Sequence, residues 1–209
     1  MSNLARPFFV VCLAGSAITN SFAGTLDQHN EGPLSPDPNG AFAYNFQTPV
    51  QTFTVGVTGL IDQIDLQVGR IGTPTQSITV EVFKTTGVSS FVPSGSVLFS
   101  HTFNPTFFPT STAVFTSINF GDYFASPIDA TVGETYAIRL SSPEASTFSN
   151  QFYVWNLSGG NQYSGGHFSG SSDQDMGFRT YVITPVPEPA SMVAMSLGLV
   201  AFARRRNRK

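Results

Sequence analysis

Residues 51–57 read Gln-Thr-Phe-Thr-Val-Gly-Val. In an extended chain successive side chains point to opposite faces, so Phe53, Val55 and Val57 share one face and Thr52, Thr54 and Gly56 the other. A helix would scatter the same residues around its circumference. The pattern returns in Ile64, Leu66 and Val68, in Ile78, Val80 and Val82, and in Val97, Phe99, His101 and Phe103. Residues 113–120, 135–140, 151–157 and 178–183 add further runs of the same length. Turn formers lie between them, among them Pro93-Ser94-Gly95 and Val132-Gly133-Glu134. Eight or so single-faced strands, uninterrupted by any long amphipathic pattern, predict an all-β domain built as an antiparallel two-sheet β-sandwich.

Composition agrees. Of 209 residues, 13% are aromatic and only 11% charged, with Phe occurring 20 times. Such a chain favours pleated, half-buried surfaces over long helices. The single cysteine, Cys12, lies in an apolar run near the N-terminus that spans 8–14. Arg6 precedes that run and Ser21-Phe22-Ala23 follows it, the three-part layout of a secretory signal peptide with cleavage after Ala23. Export through the Sec machinery is the expectation. Val11 stands before Cys12 where a lipoprotein signal calls for a small residue, so the thiol would be lost with the leader. The mature chain would then depend on packing, with no disulfide or cysteine-held metal.

Removing both ends leaves residues 24–187, which hold four basic residues (Arg70, Lys84, Arg139, Arg179) and twelve acidic ones, a formal charge of −8. That surface repels polyphosphates and argues against nucleic acid as a partner.

The candidate binding region is 150–177, a Gly- and Ser-rich stretch carrying the only tryptophan. Tyr153, Trp155 and Tyr163 offer flat apolar faces on which a sugar ring could stack, and Asn156, Asp173 and Asp175 could bond hydroxyls. The competing reading puts Tyr153, Trp155 and Leu157 on one buried strand face, with the glycines making a flexible loop. Asp173 and Asp175 could also contribute oxygens to calcium, although two carboxylates without the full loop spacing fit an exposed acidic loop better. No other cofactor or metal is expected, and no enzyme. His29, His101 and His167 stand in no zinc-protease motif, and there is no nucleophile elbow or phosphate loop. Glu81, Glu134 and Glu144 could in principle meet as a glycosidase pair, but nothing in their spacing singles them out.

The far end of the chain carries three chemistries in succession. Pro187-Glu188-Pro189 is extended and non-helical by the nature of proline. Residues 190–203 are uncharged, and as a helix they would reach about 21 Å, short of the roughly 30 Å hydrocarbon layer. Arg204, Arg205 and Arg206 open a basic tail that would halt export and fix orientation. In order, spacing and terminal position these residues closely resemble the PEP-CTERM sorting signal. The resemblance implies processing by an exosortase, a membrane protease, in Gram-negative bacteria that export polysaccharide. The expected organisation is therefore a signal peptide at 1–23, a β-sandwich at 24–184 and a sorting segment at 185–209 that includes a short transmembrane helix. Leu26-Asp27-Gln28, residues 51–56, 133–138 and 178–182 also look like pieces of bacterial surface jelly-roll domains. That likeness implies a non-catalytic surface or matrix protein, structural or carbohydrate-binding, with exopolysaccharide as its associate; a polysaccharide-active enzyme and a purely cohesive protein remain the alternatives.

Overall fold

The computed structural model describes residues 24–31, 40–43, 47–110, 114–143, 151–159 and 163–184. The predicted signal peptide, the Pro-Glu-Pro motif, the short apolar helix and the basic tail all lie outside the described residues. Among the described residues no helix is long and apolar enough to cross a membrane.

Every predicted run becomes a strand, and further strands join them. In chain order they are β1 (Thr25–Asn30), β2 (Gly40–Ala43), β3 (Val50–Thr54), β4 (Gly59–Leu66), β5 (Val68–Ile71), β6 (Ile78–Lys84), β7 (Val97–Phe103), β8 (Thr116–Asn119), β9 (Ile128–Ala130), β10 (Thr135–Ser141), β11 (Phe152–Gly159), β12 (Gln174–Met176) and β13 (Phe178–Ile183). A 3-10 turn, Phe120–Tyr123, follows β8. All pairings between these strands are antiparallel.

The expectation of two sheets is corrected to three. The first sheet has the order β1-β13-β4-β8, with β9 also on β4; the second has β3-β10-β6-β7; the third has β12-β11-β2, with β5 also on β11. The reason for the third sheet lies at Gln67 and Gly177, where two long strands change sheet. Gln67 N–H donates to the Gly177 carbonyl at 3.0 Å, Asn156 N–H to the Gln67 carbonyl at 2.9 Å, and Gly177 N–H to the Asn156 carbonyl at 2.9 Å. Backbone thus passes from β4–β13 pairing on one side to β11 on the other with the N–H groups of Gln67, Asn156 and Gly177 all bonded. A Cβ on Gly177 would sit 2.2 Å from Gln67 Oε1 and 2.7 Å from Gln67 Cβ, so the corner requires glycine for close approach.

The first and second sheets pack face to face. Phe53 of β3 meets Phe178 of β13 with ring centroids 5.9 Å apart, and Phe99 of β7 stacks on Phe120 at 4.4 Å. Phe53, Ile61, Ile64, Leu66, Val80, Val82, Ile118, Ile138 and Leu140 are all buried in this one core. Burying each such side chain contributes roughly 1.5–3 kcal/mol, which is how a chain without disulfides holds two sheets together. Strands alternate between the two sheets in chain order, β1 in the first, β3 in the second, β4 in the first, β6 and β7 in the second, β8 and β9 in the first, β10 in the second and β13 in the first. Neighbours in space are therefore mostly remote in sequence, as in interlocked Greek keys.

That winding brings the two ends of the domain together. Thr25 pairs with Val182 and Leu26 with Tyr181, so the first strand flanks the last. Strand β13 is itself central, held by β1 on one side and β4 on the other.

Candidate functional site

The six residues marked for ligand binding separate into two environments. Tyr153, Trp155 and Asp175 have no exposed surface, and Asn156 and Tyr163 are buried. Asp173 alone is exposed. Trp155 reaches the core from the middle of β11, and its Nε1–H donates to the Gly177 carbonyl at 2.8 Å, which ties it to the corner described above. Tyr153 donates its hydroxyl to the Gln76 carbonyl at 2.7 Å. A sugar cannot stack on a ring that has no open face, so in this fold Tyr153 and Trp155 act as core residues with satisfied polar edges.

The carboxylate of Asp175 is engaged inside the protein. Its Oδ1 accepts from Gln51 Nε2 at 3.1 Å and its Oδ2 from Tyr163 N–H at 3.0 Å. Gln51 in turn accepts from Met176 N–H at 2.8 Å, and Ser158 Oγ donates to the Asp175 carbonyl at 3.0 Å while receiving Asn30 Nδ2 at 3.0 Å. Asp173 instead bonds locally, its N–H donating to Ser171 Oγ at 3.2 Å. The two aspartates point into different surroundings and do not converge as a chelating pair. Among the described residues no three of His, Cys, Asp and Glu come together as a metal site would need.

The Gly-rich stretch that looked like an open loop is a strap. Thr52 N–H donates to the His167 carbonyl at 2.9 Å, His167 N–H to Thr52 Oγ1 at 2.8 Å, Ser169 N–H to the Val50 carbonyl at 2.9 Å, and Thr54 Oγ1 to the Gly165 carbonyl at 2.7 Å. Strand β3 is the edge of the second sheet, and the strap occupies its free backbone groups, closing an edge open to strand addition. This explains why Gln51 and Thr52 are fully buried although one of them lies on the polar face of β3. Tyr163 anchors the strap: its hydroxyl donates to Gln28 Oε1 at 2.9 Å and accepts from Thr54 N–H at 3.1 Å. Burial, with Asp27 and Asp175 nearby, pushes its phenol pKa up against the opposing bond from Thr54, so the donor stays protonated at neutral pH.

Leu26-Asp27-Gln28 also proves to be a structural unit. The Asp27 carboxylate accepts Gly56 N–H at 3.0 and 3.3 Å, and Gln28 N–H donates to Thr180 Oγ1 at 3.1 Å. The segment joins the first sheet, the β3–β4 crossover and the strap. No periodicity marks it, because a bulge between Leu26 and Gln28 breaks the alternation.

The carboxylates considered for sugar hydrolysis are tied to cations. Glu81 accepts Arg139 Nε at 2.7 Å, and Glu134 pairs with Lys84 and accepts the Tyr136 hydroxyl at 2.9 Å. The Lys84 bond, then the Tyr136 bond, holds the Glu134 carboxyl below its ordinary range. Glu144 lies outside the described residues. His101 packs its ring 4.3 Å from Tyr123 and 4.7 Å from Phe103, on the core-facing side of β7.

One polar surface was not anticipated from sequence. On the outer face of the first sheet Tyr181 donates to Asp65 Oδ2 at 2.8 Å, Gln63 Nε2 donates to Asp65 Oδ1 at 2.7 Å, and Arg179 pairs with Glu31 at 2.8 Å. The Arg179 guanidinium lies 4.0 Å over the ring of Phe115. Alternation of Arg179 and Tyr181 along β13 was the available signal.

At the C-terminal exit, β13 ends at Ile183 and only Thr184 separates it from residue 185. Residues 185–209 match the family described as the PEP-CTERM protein-sorting motif. The chain therefore carries the sorting segment that its last residues resemble, a segment that implies export and membrane-anchored sorting through an exosortase. No curated protein matches the chain.

Proposed function

We propose that this chain is an exported envelope protein, cut beside Pro187-Glu188-Pro189 by an exosortase-type protease after its β-domain has been translocated, and that the domain then serves at the cell surface or in the surrounding matrix without catalysing a reaction. The observation that carries this reading is the sorting motif at 185–209, attached by a single described residue to the central strand β13. An extended Pro-Glu-Pro segment suits a protease cleft, and Arg204, Arg205 and Arg206 would hold the tail on the cytoplasmic side while that cut is made. The winding of the first and second sheets supports the jelly-roll reading of the domain. A structural role is supported by the engagement of Glu81 and Glu134 in ion pairs and of Asp175 in the interior.

The test is a Pro187→Ala/Glu188→Ala variant expressed in the native host. The unprocessed chain should accumulate in the inner membrane while the parent reaches the surface; equal processing of both would contradict the proposal.

A second reading concerns the associate. The half-exposed Phe115, Arg179 and Tyr181 on the outer face of the first sheet offer a ring, a planar cation and a hydroxyl in one rigid patch, and this supports contact with an exopolysaccharide there rather than at Trp155.

A further inference from the structure

The end of the domain from which the chain leaves toward residue 185 is built by three segments. The β1 start, the β3–β4 crossover and the β9–β10 turn meet there: Gly56 N–H bonds Asp27, Gly133 N–H donates to the Val55 carbonyl at 2.9 Å, and Val132 N–H donates to Thr58 Oγ1 at 3.0 Å. Gly59 lies directly against the exit strand, where a Cβ would come 2.6 Å from the Ile183 carbonyl. Each segment presents a large apolar side chain to solvent: Leu26 is 43% exposed, Val57 39% and Val132 58%. Nothing in the core requires these three to be apolar. The positive φ of Gly133, 86°, turns the β9–β10 connection so that Val132 sits at its tip.

We propose that this apolar rim rests on the outer leaflet of the membrane while the sorting segment holds the chain there, so that the domain is docked on lipid and not merely tethered above it. The inference rests on the reading of 185–209 as a membrane-held segment. Three observations favour a lipid surface as the occupant. The segment that matches the sorting motif begins one residue beyond Thr184, at this end and at no other. The apolar run 190–203 would, as a helix, reach only about 21 Å against a layer of roughly 30 Å. A single weak anchor binds marginally, and a second contact changes that. Two rim carboxylates are also engaged in bonds within the protein, Asp27 with Gly56 N–H and Glu134 with Lys84, Tyr136 and Thr131 N–H. Asp129, exposed on the side of β9, limits contact to the headgroup boundary. Docking would hold β13 upright over the bilayer and bring Pro187-Glu188-Pro189 to a fixed height, where a membrane protease could reach it.

The experiment uses the secreted chain from Gly24 onward with its C-terminal segment intact, which carries no cysteine, reconstituted in vesicles of phosphatidylethanolamine and phosphatidylglycerol. Single cysteines are introduced as Val132→Cys and Val57→Cys at the rim, Val114→Cys at the far end of the first sheet, and Ala194→Cys in the tail. Each carries an environment-sensitive fluorophore, and lipid-borne quenchers report contact. Docking predicts that the tail label is quenched and that both rim labels are quenched at least threefold more than the label at 114. A quenched tail with rim labels no different from the label at 114 overturns docking and leaves the sorting reading intact. An unquenched tail overturns both. A rim spectral shift that appears without lipid and grows with protein concentration identifies a contact between copies and also overturns docking.

Discussion

The hydroxyl of Tyr163 and the side-chain carbonyl of Gln28, 135 residues apart, are joined by a 2.9 Å hydrogen bond that closes the strap onto the first strand of the domain. The same hydroxyl accepts Thr54 N–H from the edge strand of the second sheet. One side chain thus ties the first and second sheets and the strap together. Tyr163→Phe leaves a part-buried N–H and a side-chain carbonyl without their partner, and should destabilise the protein by about 1–3 kcal/mol. Thermal unfolding of the secreted protein measures it. Proteolysis should also cut first within the strap, and an unchanged cleavage pattern would mean that Tyr163 is not its anchor.

Trp155 is expected to matter for stability and not for sugar contact. Trp155→Phe removes the bond to the Gly177 carbonyl and part of the ring volume, a loss of about 1–3 kcal/mol, with polysaccharide pull-down unchanged. Arg179→Ala should weaken pull-down severalfold, and because the guanidinium lies 3.9 Å from the buried Asp65 carboxylate as well as on the exposed Glu31, a lower unfolding midpoint should accompany that loss. If Trp155→Phe abolishes retention on polysaccharide while remaining folded, the outer face of the first sheet is the wrong surface.

The distinction between these two surfaces marks what was legible in sequence. Alternation in 51–57 and its repeats identified most of the strands that pack into the main core, though not β9 with Ile128 and Ala130, and placed Tyr153, Trp155 and Leu157 on a common face. Strand β1 escaped because its bulge at Asp27 breaks the period, and β12 because it is only Gln174–Met176. The third sheet depended on close approach at Gly177 and Gln67, a three-dimensional relation that no local pattern records. The strap misled for a related reason. Gly165 and Gly166 resemble loop flexibility in sequence, but in the fold a Cβ on Gly166 would lie 1.9 Å from the Thr52 carbonyl, so the residue is needed for contact. The sorting segment was readable because its chemistry is written linearly.

Gly177→Ala tests the corner. The added methyl meets Gln67, and a cost of about 1–3 kcal/mol is expected from overpacking. Gln67→Ala should recover part of that loss in the double variant, giving a clear coupling in denaturant unfolding. Strict additivity would show that the two residues do not share the corner.

Acid should act partly through Glu134. Its folded pKa is lowered by Lys84 first and Tyr136 second, from an ordinary 4.5, so its contribution is present above that value and lost as pH falls through the lower folded value. Because the pair is partly exposed, at 46% and 30%, the contribution is below about 1 kcal/mol. Glu134→Gln should lower the midpoint at neutral pH and make it less dependent on pH below 4.5. Equal pH dependence in both proteins would assign acid sensitivity elsewhere.

Sorting and cutting at the C-terminal segment is the step on which the proposed function depends. Mass spectrometry of the C-terminal peptide, on protein recovered from the envelope and medium of the native host, addresses it directly. A terminus between Pro187 and Ala190, with the basic tail gone, is the expected result. Recovery of surface protein that still ends in Arg204-Arg205-Arg206-Asn207-Arg208-Lys209 would contradict it.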